Sequence, residues 1–344
     1  MTQQNPDRKR KGFTRRKFLR AVLAGGALGL PAAAVLRYLA LGEHAQTFIG
    51  KMGEYHGDIA GLLGRGVSEL GVGPAEISGK RILLKPNLVE PHLGLGHINT
   101  HPLVIRAAAE TFLRLGAARV IVGEGPGHRR DTLLVLESSG LREVLYEDRI
   151  PFVDLNNDAG YSLTNAGRFT RLKRLTFSSV VGEVDWIVSL AKLKTHHWTG
   201  VTLGMKNLFG LMPGILYGWP KNVLHFEGIT GSILDINATL KPHFAIVDGI
   251  VGMEGDGPIM GSPHRAGVLV MGRSLPAVDA TCARIMGIDP HKIPYLAAAD
   301  GWLGPIQQEG ITQLGENIAS VRTDFLLLDE IPAHRGLRLS EART

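Results

Sequence analysis

The chain of 344 residues has one cysteine, Cys282. A lone thiol closes no internal disulfide, builds no Cys-rich zinc site and holds no Cys-ligated cluster, so no iron–sulfur cluster is expected. Cys282 lies in an apolar helical stretch, which suits an inert core thiol better than a nucleophile. A G-x-S-x-G elbow and a Walker pattern are absent. Gly123-Glu124-Gly125-Pro126-Gly127 lacks the G-x-G-x-x-G spacing and is a poor nucleotide loop. Acids are missing from one long stretch: Trp186 to Phe226 holds no Asp or Glu, where about four would be expected.

A surplus of positive charge is also missing from the body of the chain. The formal net charge is +6, but residues 1–20 hold eight Lys/Arg and one acid. The remainder has 30 basic and 31 acidic residues. So neutral a body has no global attraction for nucleic acid. The tip reads Thr14-Arg15-Arg16-Lys17-Phe18-Leu19-Arg20, then a weakly apolar run from Ala21 to Val35. This resembles a twin-arginine export signal. The resemblance implies the twin-arginine export machinery as a partner and a periplasmic or extracytoplasmic location. Arg37 interrupts the apolar stretch short of the ~20 residues a membrane span needs. The signal is either cleaved near Ala32-Ala33-Ala34 or kept as an anchor that associates the N-terminus with the membrane.

Three segments are expected: the signal at 1–40, a helical and loop-like stretch at 41–79, and an α/β domain at 80–330 of one or two lobes. Arg81–Leu84, Arg119–Val122, Phe152–Leu155, Trp186–Leu190, Ala245–Val247 and Val268–Met271 read as strands. Helices are expected at 102–116, 131–149, 203–211, 228–240 and 276–287, and an extended polar ribbon at 168–177. The predicted class is α/β with a mostly parallel, Rossmann-like layered sheet. Ligands in such folds sit beyond the carboxyl ends of the strands, where the polar motifs here fall.

The acid-free stretch supplies the strongest candidate. It carries Lys192, Lys194, His196, His197, Lys206, Asn207, Lys221 and His225 among apolar residues and glycines. Lysines directly after a buried strand are poised to meet a phosphate, a carboxylate or an anionic cofactor. The amides opening a helix at Gly204 would add donors. The plainer alternative is a solvated basic loop. Lys85 and Asn87, at another strand end, are expected to face the same cleft. His196, His225 and Glu124 are candidate acid–base groups. His92, His97 and His101 do not have the spacing of a helical zinc motif. Asp248, Glu254 and Asp256 crowd a glycine-rich turn and, with His196 and His225, are the metal candidates; water-facing turn acids are the competing reading.

Lys85-Pro86-Asn87, Thr100-His101-Pro102, Lys192-Leu193-Lys194-Thr195-His196, Thr199-Gly200-Val201-Thr202, Lys206-Asn207-Leu208-Phe209-Gly210, Asp248-Gly249 and Glu254-Gly255-Asp256-Gly257-Pro258 resemble the domain of unknown function 362 family over about 80–300. Members often carry an added cluster domain, which a chain with Cys282 alone cannot match. The His196–Gly214 segment is also distantly similar to the nickel-pincer lactate racemases. That likeness implies a lactate-racemase-like fold, a metal–organic cofactor loaded before export, Lys206 as its tether, His196 as an acid–base group and His225 as a metal ligand. The expected function is an exported, cofactor- or metal-dependent enzyme acting on a small anion by racemase- or isomerase-like proton or hydride transfer. The alternatives are a non-catalytic anion or cofactor carrier serving a redox partner and, last, a structural protein at the membrane face.

Overall fold

Strand β7, Trp186–His196, shows how the sequence builds the fold. Its side chains alternate. Ile187, Ala191 and Leu193 enter one apolar cluster. Trp186, Val188 and Leu190 enter the cluster on the opposite face. A strand buried on both faces needs this period of two. The alternation continues past the apolar run, so Lys192, Lys194 and His196 share a face with Leu190.

The computed structural model describes residues 44–91, 96–127 and 130–340, and the twin-arginine motif and His92 lie outside them. Twelve strands occur among the described residues. They are β1 (Ala45–Lys51), β2 (Arg81–Pro86), β3 (Arg119–Glu124), β4 (Phe152–Asp154), β5 (Gly160–Thr164), β6 (Arg174–Ser178), β7, β8 (Gly200–Thr202), β9 (Phe244–Glu254), β10 (Ser262–His264), β11 (Val268–Gly272) and β12 (Ile311–Gly315). The main sheet runs β12-β1-β11-β9-β7-β2-β3-β4. From β9 through β4 all neighbours are parallel. β11 is antiparallel to both β9 and β1. β8 folds back on β7, and β10 on β9. β5 and β6 form a separate ribbon.

The main helices are α1 (Ile59–Glu69), α2 (Pro102–Arg114), α3 (Thr132–Ser138), α4 (Leu141–Glu147), α5 (Ile229–Leu240) and α6 (Leu275–Ile285). α1 and α2 bury Leu62, Leu63, Val104 and Phe112 against one face of the sheet. α5 and α6 bury Ile233, Ile236, Val278 and Cys282 against the other. The class is α/β with a mostly parallel sheet, as the sequence implies.

Several boundaries differ from expectation. The described residues belong to one compact unit, with no separate body on either side of 79/80. The stretch 41–79, read as helix and loop, contributes strand β1 to the sheet. The helix expected at 131–149 is two, interrupted by Gly140 at φ +73°. β7 and β9 each extend well beyond their apolar cores. Lys192, Lys194 and His196 therefore lie on the strand rather than in a loop after it.

Candidate functional site

The carboxyl ends of the parallel strands β2, β3 and β7 stand side by side. A cleft opens beyond them, enclosing about 710 Å³ with its open mouth included. Its place beyond the strand ends obeys the rule for parallel sheets. Its lining includes Lys85 at the end of β2 and Asn87 just after it, Glu124 at the end of β3, Lys194 and His196 on β7, and Thr202 on β8. Lys206 and Asn207 come from the single helical turn Gly204–Asn207, and Lys221 and His225 from the segment that closes one side.

The floor is a hydrogen-bonded cluster. The Lys85 ammonium donates to the Glu124 carboxylate at 2.7 Å and to Asn207 Oδ1 at 3.1 Å. Asn207 Nδ2 donates back to the Lys85 carbonyl at 2.9 Å. The backbone amides of Leu88 and Gly125 also donate to Glu124, at 2.9 and 2.8 Å. Gly210 permits this closeness, since a Cβ there would lie 2.2 Å from a Glu124 oxygen and 2.4 Å from Lys85 Cε. Burial pushes the Lys85 pKa down, against the pull of Glu124.

The other lysines lack such a carboxylate. Lys194 is fully buried and donates to the carbonyls of Ile98 and Pro258, at 2.9 and 3.1 Å. Burial first, then the charges of Lys192 and Lys206, hold it well below the usual lysine range. Lys206 lies 4.3 Å over the Phe209 ring and has no hydrogen bond or ion pair among the described residues. Burial, reinforced by Lys85, lowers it to about 8. Lys221 donates to Asn156 Oδ1 and the Met212 carbonyl, and burial lowers it to about 7. Four lysine amines thus share one lining carboxylate, Glu124. Two buried acceptors in the lining, Asn87 Oδ1 and Thr202 Oγ1, have no partner among the described residues.

The histidines differ in tautomer. His196 Nδ1 accepts the Trp198 backbone N–H at 3.0 Å. The neutral ring therefore carries its proton on Nε2. Burial, then the neighbouring Lys206, keeps it neutral, with a pKa well below the ordinary value. His225 Nδ1 lies 3.1 Å from the Lys221 carbonyl, which can only accept. In neutral His225 the lone pair is on Nε2, the tautomer of a proton acceptor. The Trp198 ring packs edge-on to His225 at 5.0 Å.

Residues 82–284 match the family model described as Domain of unknown function (DUF362). The chain belongs to the DUF362 family. This DUF362 chain is also 30% identical over 237 residues to a thylakoid-associated protein of Synechocystis sp., covering 67% of this chain and 70% of that protein. In outline it is similar to the lactate racemase apoprotein of Thermoanaerobacterium thermosaccharolyticum, with TM-score 0.44 and 15% identity over 71% of this chain. A Thermotoga maritima protein gives TM-score 0.37 and 16% identity over 68% of this chain. This chain spans 57% and 59% of those two structures.

Most of the DUF362 candidate residues meet in the one cleft: Lys85, Asn87, Glu124, Lys194, His196, Lys206, Asn207 and His225. Lys192 does not. It pairs with Asp248 at 2.8 Å and with the Tyr55 hydroxyl at 2.9 Å, both partners of the pair fully buried. Asp248, Glu254 and Asp256 do not converge either. Glu254 bonds His264 at 2.7 Å, and half-exposed Asp256 lies 3.9 Å from His197. No three His, Cys, Asp or Glu side chains are grouped to hold a metal among the described residues. The amides at Gly204 and Met205 are not open donors, because buried Asp279 accepts both, at 2.7 and 3.0 Å. Asp279 was not legible as a partner, being 75 residues away. Lys221, Thr202 and Trp198 complete the lining; Lys221 stood in the acid-free stretch, but nothing local distinguished it.

Proposed function

We propose that the cleft binds a small anion and is the active site of an enzyme that moves a proton on that ligand. The observation that carries this is the charge imbalance: Lys194, Lys206 and Lys221 point into one hollow with no carboxylate of their own. Burying uncompensated ammonium groups is costly, and an anionic guest relieves it. Lys194 and Lys206 bind the anion. The His196 Nε2–H donates to a ligand oxygen, and His225 Nε2 takes the proton from the carbon next to the carboxylate; the imidazolium then returns it to that carbon, once the planar anion has turned its other face, or to the neighbouring atom. Racemisation or isomerisation is the reaction class.

A covalently held anionic cofactor fits the same residues, because the Lys206 amine is unbonded and faces the cleft. In that variant Lys206 would hold the group instead of binding the substrate, which would fall to Lys194, and the group would supply a hydride acceptor, so no solvent deuterium would enter. A metal held by three protein ligands does not fit among the described residues. Export by the twin-arginine route, with attachment or cleavage at the N-terminus, belongs to the same reading; the thylakoid-associated relative is in keeping with a membrane-side location.

Chiral 2-hydroxy and 2-amino acids incubated in deuterium oxide with protein from its native host test the reaction. Deuterium at the carbon next to the carboxylate, lost in His225→Gln, is the expected result. Binding without exchange for every acid would instead make the protein a carrier. Intact mass of the same sample shows whether Lys206 carries an adduct. Fractionation of the host, with Arg15 and Arg16 both changed to Lys as the control, reads the location.

A further inference from the structure

Trp198 sits in the turn 197–199 that joins β7 to β8, between the paired residues His196 and Gly200. The turn is tied down, because the His197 amide donates to the Gly257 carbonyl at 2.9 Å. From it Trp198 reaches both candidate acid–base groups. Its backbone N–H donates to His196 Nδ1 at 3.0 Å, and its indole ring lies 5.0 Å from the His225 ring, T-shaped at 71°. His225 comes to the cleft from a different segment, the helical turn Asn222–Phe226, and its ring also meets Phe209 at 6.0 Å. Core packing does not account for Trp198: it is 52% exposed, and it lines the cleft. A large apolar ring left half in water gains only part of the stabilisation of a buried one.

We infer that Trp198 is a positioning residue for the proton transfer proposed above, setting the His225 ring relative to His196 so that both imidazoles address one ligand. This rests on that reading and adds a residue to its machinery. An acid and a base serve one ligand only when their placement is held to within about 0.5 Å of the productive one. His196 ends a strand that is buried along its whole length. His225 lies on a short helical turn, and two side-chain torsions set its ring. Trp198 ties the second to the first, with its amide on one imidazole and its indole against the other. Substitution separates the two contacts. Any residue but proline at 198 keeps the amide that fixes the His196 tautomer, so only the ring contact with His225 is lost.

Trp198→Ala and Trp198→Phe in the full-length chain test this with two readouts. The first is the imidazole nitrogen shifts of isotope-labelled protein by NMR, taken at a pH of about 9, above the ordinary histidine range. Loss of signals in His225→Gln and His196→Gln assigns them. In the parent the His225 nitrogens should have the shifts of the Nδ1–H tautomer. Trp198→Ala should move them toward the average of two exchanging tautomers, Trp198→Phe should restore them, and the His196 shifts should hold in both. The second readout is deuterium exchange on whichever 2-hydroxy or 2-amino acid turns over. Trp198→Ala should lower kcat about tenfold or more with KM within about twofold of the parent, and Trp198→Phe should recover most of the rate. Nitrogen shifts or a kcat that ignore Trp198→Ala would overturn the inference alone. So would a raised KM at constant kcat, which makes the indole a wall for the ligand, or a loss of cooperative unfolding in both variants, which makes it a structural prop. A parent that exchanges no deuterium on any acid would overturn the proton-transfer reading and the catalytic half of the inference with it. Shifts that still follow Trp198 would then show that it sets His225 all the same.

Discussion

Lys192 and Lys194 stand two residues apart on one strand, face the same side and are equally buried. Lys192 has the Asp248 carboxylate at 2.8 Å and the Tyr55 hydroxyl at 2.9 Å. Lys194 has only two backbone carbonyls. The first lysine is satisfied within the protein, and its pair ties β7 to β9. The second, with Lys206 and Lys221 also lining the cleft, has no carboxylate of its own, and in the proposed reading an anion from outside supplies it. In the proposed reading, the same residue type on the same strand is structure in one place and binding site in the next. The difference is the presence or absence of a carboxylate.

Substitution breaks the comparison most sharply. Lys192→Met leaves Asp248 buried without its cation and should cost about 3–5 kcal/mol of unfolding free energy. Lys194→Met removes an amine that has no counter-ion and leaves no buried carboxylate behind, so its unfolding free energy should stay within about 1 kcal/mol of the parent. Urea denaturation of both variants checks this; equal losses would show that the two lysines are not different in kind. Gly210→Ala comes next. Its new Cβ must displace Glu124 or Lys85, for about 1–3 kcal/mol by the same measurement.

The fold and much of the cleft were legible because both follow local pattern. A short apolar run marked the core of β7, and the rule for parallel sheets put Lys85, Glu124, Lys194 and His196 at one end of the sheet. β1 escaped because Ala45–Lys51 sits among glycine-punctuated segments, with Thr47 and Gly50 diluting its apolar pattern. The fate of Lys192 escaped for another reason. Its partner lies 56 residues on, and only the register of β7 against β9 places them opposite each other. Nothing in the spacing of Asp248, Glu254 and Asp256 shows that β9 carries the first into the sheet and leaves the last half-exposed at a turn.

Acidity sharpens the comparison by a smaller amount. Lys206 titrates at about 8 in the folded chain, against an ordinary value of 10.5. Between those values the unfolded chain holds more protons, so this residue makes stability rise with pH across that window. Urea denaturation between pH 7 and 10 should show the rise, and Lys206→Met should flatten it. The ammonium form is the one that attracts an anion, so affinity should fall as pH passes through about 8.

The most direct measurement is calorimetric titration of phosphate or acetate, at pH 7, into the parent and into Lys194→Met and Lys206→Met. The account expects saturable one-to-one binding by the parent, weakened about tenfold or more in each variant. Binding that is absent in the parent, or indifferent to both lysines, would contradict it.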